Sequence, residues 1–352
     1  MSRPTPRLVL VAGATRTAAI DGISAAGASP DLLWHTPAAD AEILAYGRPV
    51  EAPAVPASPT GCPTPAVVTR GARDVLGFET TVVDAGIDPP TAAPTVDFDV
   101  AAGGDIRETT PVPGVEQVFE RARDLGSGLP DAEVLIGETI PGGTTTAMGT
   151  LRALGEPARV SSSLPANPTG LKRNVVAQGL DASGISAGDL AGDPLGAIEA
   201  MGDPVLAAAA GIAAGALETG TGVTLAGGTQ MLAVAAVLRH AGVTGPLPVA
   251  TTTHVADDES ADFREAAVAL DVHPIVTDPG FAHIEGEGAA GLAGYADGEA
   301  KGGVGMGGAL ALAARAGVLD QVRGRAVDFC GRLLGDREAV PESGSEVSSG
   351  GS

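Results

Sequence analysis

Cysteines and aromatic residues are scarce in this 352-residue chain, and each scarcity excludes a kind of protein. Two cysteines, Cys62 and Cys330, cannot form a disulfide framework, and no C-x-x-C or H-x-x-x-H spacing indicates a zinc site. Aromatic residues make up only 3%, so the core must be built from small side chains, valine and leucine in closely packed layers. We therefore expect a cytoplasmic protein that holds no metal.

Lysine is also nearly absent, since Lys172 and Lys301 are the only two. The chain carries 43 acidic against 21 basic residues, a formal net charge of −22. That balance argues against nucleic acid as a partner, because a phosphate backbone is bound by clustered Lys and Arg, and it disfavours anionic membranes for the same reason. An acid-rich, lysine-poor composition is typical of a protein adapted to a high-salt cytoplasm.

The charge predicts that the stability of the fold depends on salt. Molar KCl screens repulsion between carboxylates within a few ångströms, so it should stabilise the folded state, and its removal should destabilise it. Melting temperatures in dilute buffer and in molar KCl test this expectation. An unchanged melting temperature would contradict it.

No apolar run is long enough to cross a membrane. The longest, "PVLAAAAGIAAGAL" at 204–217, falls short of the roughly 20 residues that a span requires and is predicted to be a core helix. The N-terminal "RPTPRLVLVAGATRTAAID" has a basic start and a short apolar run. We expect that run to be a first buried strand and not a signal peptide.

Short β-branched runs alternate with helical patterns along the chain. The predicted strands are 8–13, 80–86, 132–138, 222–228, 247–253 and 272–278. The predicted helices are 65–76, 113–125, 144–154, 172–180, 229–240 and 260–270. This alternation indicates an α/β fold with a doubly wound, mostly parallel, Rossmann-like sheet and small helical additions from the chain ends. We predict one domain over 1–335, followed by a disordered acidic Ser/Gly tail over 336–352.

Two long connections interrupt the pattern. Residues 49–70 are dense in proline and are predicted to be an extended, ordered loop across the surface. Residues 88–114 form a second long connection, and long connections inside compact domains are often functional.

Three glycine clusters stand where chemistry could occur. In "LIGETIPGGTTTAMGTL" (135–151) a strand leads through Gly142–Gly143 into a helix, whose free N–H groups could hold a phosphate; alternatively Thr144 is simply the N-cap. A second junction repeats this arrangement at Gly227–Gly228. The third, at 301–317, contains G-x-G-x-x-G but follows no convincing strand, so it is weak evidence for a dinucleotide site, and a dehydrogenase is disfavoured.

The first junction, with several other segments, resembles a known enzyme family. "GETIPGGTTTAMGTLRALG" is similar to the G-E-x-x-x-G-[NG]-T-T-T-A segment of the nicotinate-nucleotide:dimethylbenzimidazole phosphoribosyltransferases of cobalamin biosynthesis, in their archaeal branch. Further similarity covers most of the chain from residue 8 to about 320. It lies at 16–30, 36–47, 58–70, 167–176, 225–234 and 301–312.

The resemblance implies transfer of phosphoribose from nicotinate mononucleotide to an aromatic base of benzimidazole type, without a cofactor and in a homodimer. The pyridinium leaving group is already cationic, so the enzyme needs a phosphate grip, aligned reactants and a carboxylate to take the acceptor's proton. The positions that match the family's substrate-binding residues are Gly142, Gly143, Thr144, Thr145, Lys172, Gly227, Gly228, Gly303 and Gly305. Among these, Lys172 matches the lysine that reaches the phosphate.

The sequence departs from the family at its catalytic base. The family's glutamate before the last glycine run aligns with Gly302, which cannot take a proton. Glu138 is the first candidate to replace it, followed by Asp297 and Glu299. A non-catalytic nucleotide-binding protein that kept the cleft and lost the base is therefore the alternative function.

Overall fold

The computed structural model describes residues 6–24, 29–283 and 289–338, and its centre is one sheet of seven parallel strands. The strand order is β3-β2-β1-β4-β5-β6-β7. The strands are β1 (Arg7–Ala12), β2 (Thr80–Asp84), β3 (Thr95–Asp97), β4 (Glu133–Thr139), β5 (Gly222–Ala226), β6 (Pro248–Thr252) and β7 (His273–Thr277).

Fourteen α-helices of the described residues surround the sheet. They are α1 (Pro30–Leu33), α2 (Thr36–Tyr46), α3 (Ala66–Leu76), α4 (Val115–Ser127), α5 (Gly143–Leu154), α6 (Thr169–Ala182), α7 (Pro194–Met201), α8 (Pro204–Glu218), α9 (Thr229–His240), α10 (Thr253–Ala256), α11 (Phe263–Ala269), α12 (Ala289–Ala296), α13 (Met306–Ala316) and α14 (Leu319–Glu338).

Alternating residues of β1 show how the sheet is covered on both faces. Val9 and Val11 pack against the layer that contains α4, α5, α7, α8 and α9. Leu8 and Leu10 belong to the opposite layer, with α2, α3, α13 and α14. Because successive side chains of a strand point to opposite faces, a strand buried on both sides is apolar throughout, as this one is.

The predicted architecture is confirmed: the sheet is doubly wound, and all six predicted strands and all six predicted helices are present. Sequence reasoning missed β3, which lies inside the connection 88–114. That strand has only three residues, sits at the sheet edge and is largely exposed, so no apolar run marks it.

Helices from the two ends of the chain cover one face of the sheet, as expected. Near the N-terminus α2 packs on α3, and near the C-terminus α13 and α14 pack on α3 as well. The last helix continues to Glu338, and residues 339–352 of the predicted tail lie outside the described residues. Within the described ranges, no helix combines the length and the apolar character needed to cross a membrane.

The proline-dense loop is not the surface crossing that the sequence predicted. Val55, Ala57 and Cys62 are buried in it, and it ends where α3 begins. The loop bends at 51–54, turns at 59–60 and pairs Ala57 with Pro63 in an isolated antiparallel bridge, so it folds back instead of running extended. It thereby forms one wall of a cleft.

Helices α4 and α8 approach each other through glycine. A methyl group added to Gly215 would overlap the carbonyl oxygen of Arg123, and one on Gly211 would overlap that of Phe119. Only glycine permits backbones to pack this closely. These contacts explain why the layer is so rich in small residues.

Gly215→Ala is expected to destabilise the protein by about 1–3 kcal/mol, because overpacking forces the two helices apart. Gly324→Ala is the matched control, since Gly324 is an exposed glycine of α14 with open space around it. Alanine there should stabilise by up to about 1 kcal/mol through helix propensity. Urea unfolding of both variants at one KCl concentration measures the difference, and equal effects would contradict the packing argument.

Candidate active site

A cleft opens at the carboxyl end of β4, beside β1. The chain leaves β1 for β2 on one side, while β4 pairs with β1 on the other. This reversal is a topological switch point, where open α/β sheets bind ligands. In the pairing of β1 with β4, Val11 lies opposite Glu138 and Ala12 opposite Thr139, so the last polar residues of β4 emerge at the cleft floor.

Several segments that are distant in the chain build the walls of the cleft. Helix α2 contributes Thr36 and Asp40, and the loop between α2 and α3 contributes residues 56–58 and 62–65. The remaining walls come from 138–144, from Ser162 and Ser163, and from residues 300 and 302–304, with Gln230 at the start of α9. The cleft therefore joins both junctions that the sequence marked.

The turn after β4 presents a helix N-terminus to the cleft. Gly142 is the N-cap of α5, has φ of 76° and makes no side-chain capping bond. A side chain on Gly142 would press on Ala18, and one on Gly143 would overlap the Gln230 amide. Thr144 lines the cleft as the second helical residue, so the alternative that it is the N-cap is wrong. The uncapped end carries partial positive charge toward an anion.

The third glycine cluster serves mainly close packing. A Cβ on Gly137 of β4 would lie 2.6 Å from the Cα of Gly305, so strand and loop are in backbone contact. Gly303 has φ of 102° and Gly305 has φ of 69°, conformations that favour glycine. Gly303 lines the cleft, whereas Gly305 packs beneath it on Leu8.

Glu138 lies at the floor of the cleft with 3% of its surface exposed. Burial, followed by the charge of Asp203, raises the pKa of Glu138 to about 8, although a hydrogen bond from Gln230 lowers it. The Glu138 carbonyl accepts a 2.7 Å hydrogen bond from the Val304 N–H, which fixes strand β4 to the glycine loop. The sequence-predicted carboxylate is thus held at the centre of the site.

Two further buried carboxylates flank Glu138, and sequence reasoning missed both. Asp40 lines the cleft and accepts 2.6 Å hydrogen bonds from the hydroxyls of Thr64 and Thr139. Burial raises the pKa of Asp40 to about 7 against these two bonds. Asp203 caps α8 through the Leu206 N–H at 2.9 Å, and burial raises its pKa to about 6.

No cation pairs with these three carboxylates in the described part of the chain. Their hydrogen-bond partners are threonine hydroxyls, the Gln230 amide and backbone N–H groups. Buried carboxylates without a counter-ion are costly to ionise, which is why their pKa values rise. Two of the three, Asp40 and Glu138, line the cleft, and a positively charged ligand there would favour their ionised form.

The two lysines of the chain lie together behind the 161–163 segment. Lys172 is wholly buried, and its ammonium donates a 2.8 Å hydrogen bond to the Ser161 carbonyl. Lys301 pairs with Asp258 at 2.7 Å, and Asp258 also accepts from the Ser161 hydroxyl. Burial lowers the pKa of Lys172 to about 7. Its side chain does not line the cleft itself, but the neighbouring Ser162 and Ser163 do.

The other predicted carboxylates lie outside the cleft. Asp297 is exposed. Glu299 is buried behind the wall, where its carboxylate accepts hydrogen bonds from the hydroxyls of Ser58 and Thr60. Gly302 lines the cleft, so the position of the family's glutamate faces the site without a proton acceptor.

The remaining predicted positions stand close behind the surface of the cleft. Thr145 is wholly buried, and its hydroxyl has no hydrogen-bond partner. A Cβ on Gly227 would lie 3.6 Å from the Glu138 carboxylate, and one on Gly228 would touch Val255. Among the described residues, no group of three or more His, Cys, Asp or Glu side chains is arranged to hold a metal ion.

Comparison with solved structures places this fold among known ones. The chain is similar to nicotinate-nucleotide-dimethylbenzimidazole phosphoribosyltransferase from Thermus thermophilus, with a TM-score of 0.57 and 18% identity. The match covers 95% of this chain and 83% of that one. It confirms the fold that the sequence resemblance implied.

Comparison with curated proteins identifies relatives along nearly the whole chain. No family model matches it. A UPF0284 protein of Halobacterium salinarum, a halophile, is 57% identical over 331 residues, covering 94% of this chain and 99% of that protein. A UPF0284 protein of Methanosarcina mazei is 42% identical over 331 residues, covering 92% and 94%. The chain therefore belongs to the UPF0284 family.

Proposed function

We propose that the protein transfers phosphoribose from nicotinate mononucleotide to a benzimidazole-type base, giving α-ribazole 5′-phosphate for the lower ligand of a cobamide. The observation that carries this proposal is the group of buried carboxylates without a counter-ion at the switch point of the sheet. A nicotinate nucleotide brings a pyridinium cation to such a site. The shared fold with a phosphoribosyltransferase and the sequence motifs support the same reaction.

The nucleotide phosphate binds at the anion-attracting side of the cleft. The uncapped start of α5, with Gly142, Gly143 and Thr144, supplies N–H groups and partial positive charge. Ser162 and Ser163 supply hydroxyls, and the Lys172 ammonium stands behind them. The pyridinium and the ribose then lie toward Glu138, away from the phosphate, because two anions cannot share one site cheaply.

The reaction needs no more than these groups. The acceptor nitrogen bonds to the ribose C1′ while the bond to nicotinate breaks with its electron pair staying on the pyridine ring. The new base then carries the positive charge and loses its other N–H proton to a carboxylate. Glu138 is our first assignment for this proton. Asp297 and Glu299 are weaker ones, since one is exposed and the other lies behind the wall.

A nucleotide-binding protein without catalysis is the second candidate function. Gly302 favours it, because the family's glutamate position faces the cleft with no acidic group. Such a protein would keep the phosphate site and the cation-binding carboxylates. It would fail only at the removal of the proton.

The two functions are separated by one assay in molar KCl. Protein is mixed with nicotinate mononucleotide and dimethylbenzimidazole, α-ribazole 5′-phosphate is followed by chromatography, and nucleotide affinity is measured by calorimetry. Product formation supports the transferase, whereas binding without turnover supports the second function. Absence of both would refute the two proposals together.

The resemblance further leads us to propose a homodimer in the cytoplasm. Light scattering of the purified chain in molar KCl measures its mass against the 34.5 kDa of one chain. A monomer at all concentrations would contradict the dimer.

A further inference from the structure

Asp40 is a second carboxylate inside the same cleft as Glu138. It lies on α2 with 1% of its surface exposed, and the hydroxyls of Thr64 and Thr139 each hold one of its oxygens at 2.6 Å. Thr139 directly follows Glu138 in β4. Asp40 is therefore held at the end of β4 by the residue that follows Glu138, and both carboxylates line the cleft there.

The Thr36 side chain lies one helical turn before Asp40, on the same face of α2. It lines the cleft, and its hydroxyl is buried without a hydrogen-bond partner. Residues four apart on a helix are neighbours, so α2 presents a free hydroxyl beside a carboxylate. A buried polar group without a partner is expected to find one in a ligand. A base with ring nitrogens and an N–H group fits this pair of side chains.

Other ionisable side chains lie close to the two carboxylates. Asp203 and Asp40 both act on Glu138 as like charges, and Asp40 in turn acts on the phenol of Tyr295. Asp203 caps α8 and does not line the cleft, so of these three carboxylates Asp40 and Glu138 are the two that can reach a ligand. Two like charges in one buried site do not ionise independently.

We propose that Asp40 and Glu138 form a coupled carboxylate pair that takes up the acceptor's proton, with Asp40 as a catalytic residue that contacts the acceptor N–H. The proposal rests on the transferase function. In the resting protein the pair retains a proton, which the arriving pyridinium cation displaces to solvent. The acceptor nitrogen then bonds to C1′ while the bond from C1′ to nicotinate breaks, and nicotinate leaves with the electrons of that bond. The N–H proton of the cationic product passes to the two carboxylates. The pair then takes the proton that the family's glutamate would take, although that position is Gly302 in this chain.

The coupling itself can be measured without any substrate. Carboxyl carbons of Asp and Glu are labelled with ¹³C, and the titration of Glu138 is followed by NMR in wild type and in Asp40→Asn. Loss of the Asp40 charge should lower the midpoint of the Glu138 titration. Asp31→Asn is the control, because it removes one negative charge from an exposed position on α1. A Glu138 midpoint that is the same in Asp40→Asn and in wild type overturns the pair.

Kinetics test whether the coupled pair acts in the reaction. Asp40→Asn and Glu138→Gln should each lower turnover by at least about 10²-fold, the lower limit for a general base. Residues that act as a unit are not additive, so the double variant should be no slower than the worse single variant by more than a few-fold. Losses that multiply, or normal turnover in Asp40→Asn, would overturn the assignment.

Two remaining outcomes are also decided. If wild type forms no product, the transferase fails and the acceptor step fails with it, while the NMR titration still shows whether the pair exists. If Asp40→Asn does not fold, Thr64→Val replaces it, since losing one hydrogen bond to ionised Asp40 should raise the Asp40 midpoint and alter that of Glu138. An unaltered Glu138 midpoint in that variant overturns the pair.

Discussion

Glu138→Gln is expected to lower turnover by about 10²–10⁴-fold while leaving nucleotide affinity nearly unchanged. Glutamine keeps the size and the hydrogen-bonding reach of the side chain, so the contact with Gln230 and the shape of the cleft remain. It removes the basicity. The rate of α-ribazole phosphate formation and the calorimetric affinity for nicotinate mononucleotide measure the two quantities separately.

The pH dependence of the wild type gives an independent readout. A general base acts when ionised, and the pKa of Glu138 is raised to about 8, so kcat/KM should rise with pH up to that region. In the complex the pyridinium cation favours the ionised carboxylate, so the midpoint for kcat should lie lower. The rise of kcat/KM with pH and the rise of kcat with pH should both disappear in Glu138→Gln.

As pH rises, the stability of the wild type should fall while its activity rises. A carboxyl whose pKa is raised from 4.5 to about 8 stabilises the folded state fully below pH 4.5, and this contribution is lost as pH rises toward 8. Above pH 7 the glutamine variant should therefore melt at a higher temperature than wild type. Glu133→Gln is the control, because Glu133 lies at the other end of β4 and pairs with Arg315. Normal turnover in Glu138→Gln would make Glu138 an orienting residue.

The sheet was predictable because each inner strand is a short apolar run that ends in glycine or a polar residue. Such a run is buried on both faces, and its sequence shows that directly. Strand β3 and helix α2 give no comparable signal. The strand is short and exposed. In the helix every residue from Thr36 to Leu44 is buried, so no amphipathic period appears.

The site was only partly predictable, for a related reason. Glu138 and the Gly142 turn lie next to each other in the chain, so one motif contains both. Asp40 reaches the same cleft by bonding Thr139, 99 positions away, and only the packing of α2 over the end of β4 brings them together. Two acidic residues, Asp40 and Glu42, in an otherwise apolar helix were the available signal.

The burial of Lys172 also changes an expectation drawn from the sequence. A lone lysine on a helix is ordinarily at the surface, and its removal would cost little stability. Here the side chain is enclosed by the segment at Ser161 and by the pair Asp258 and Lys301, which come from distant parts of the chain. Alanine at this position would leave a cavity, so methionine is the better replacement because it nearly fills the same volume.

Lys172→Met is expected to weaken nucleotide binding by about 1.5–3 kcal/mol, the range for a charge-assisted hydrogen bond. An ammonium has three donors, and the structure shows one of them on the Ser161 carbonyl beside the serines of the cleft. The substitution removes a positive charge behind the proposed phosphate position and loosens the segment that carries Ser162 and Ser163. Calorimetric affinities of wild type and variant measure the effect, and Arg173→Met, an exposed neighbour on α6, is the matched control.

The same substitution has a signature in stability that separates charge from packing. The folded-state pKa of Lys172 is lowered from 10.5 to about 7, so between these values the unfolded chain binds a proton that the folded chain does not. The free energy of unfolding of wild type should therefore rise with pH from about 7 to 10, by up to about 1.4 kcal/mol per pH unit, relative to Lys172→Met. If the free energy of unfolding changes with pH in the same way in both proteins, the pKa of Lys172 is not lowered in the folded state. Unaltered nucleotide affinity would leave it a structural lysine that only holds Ser161.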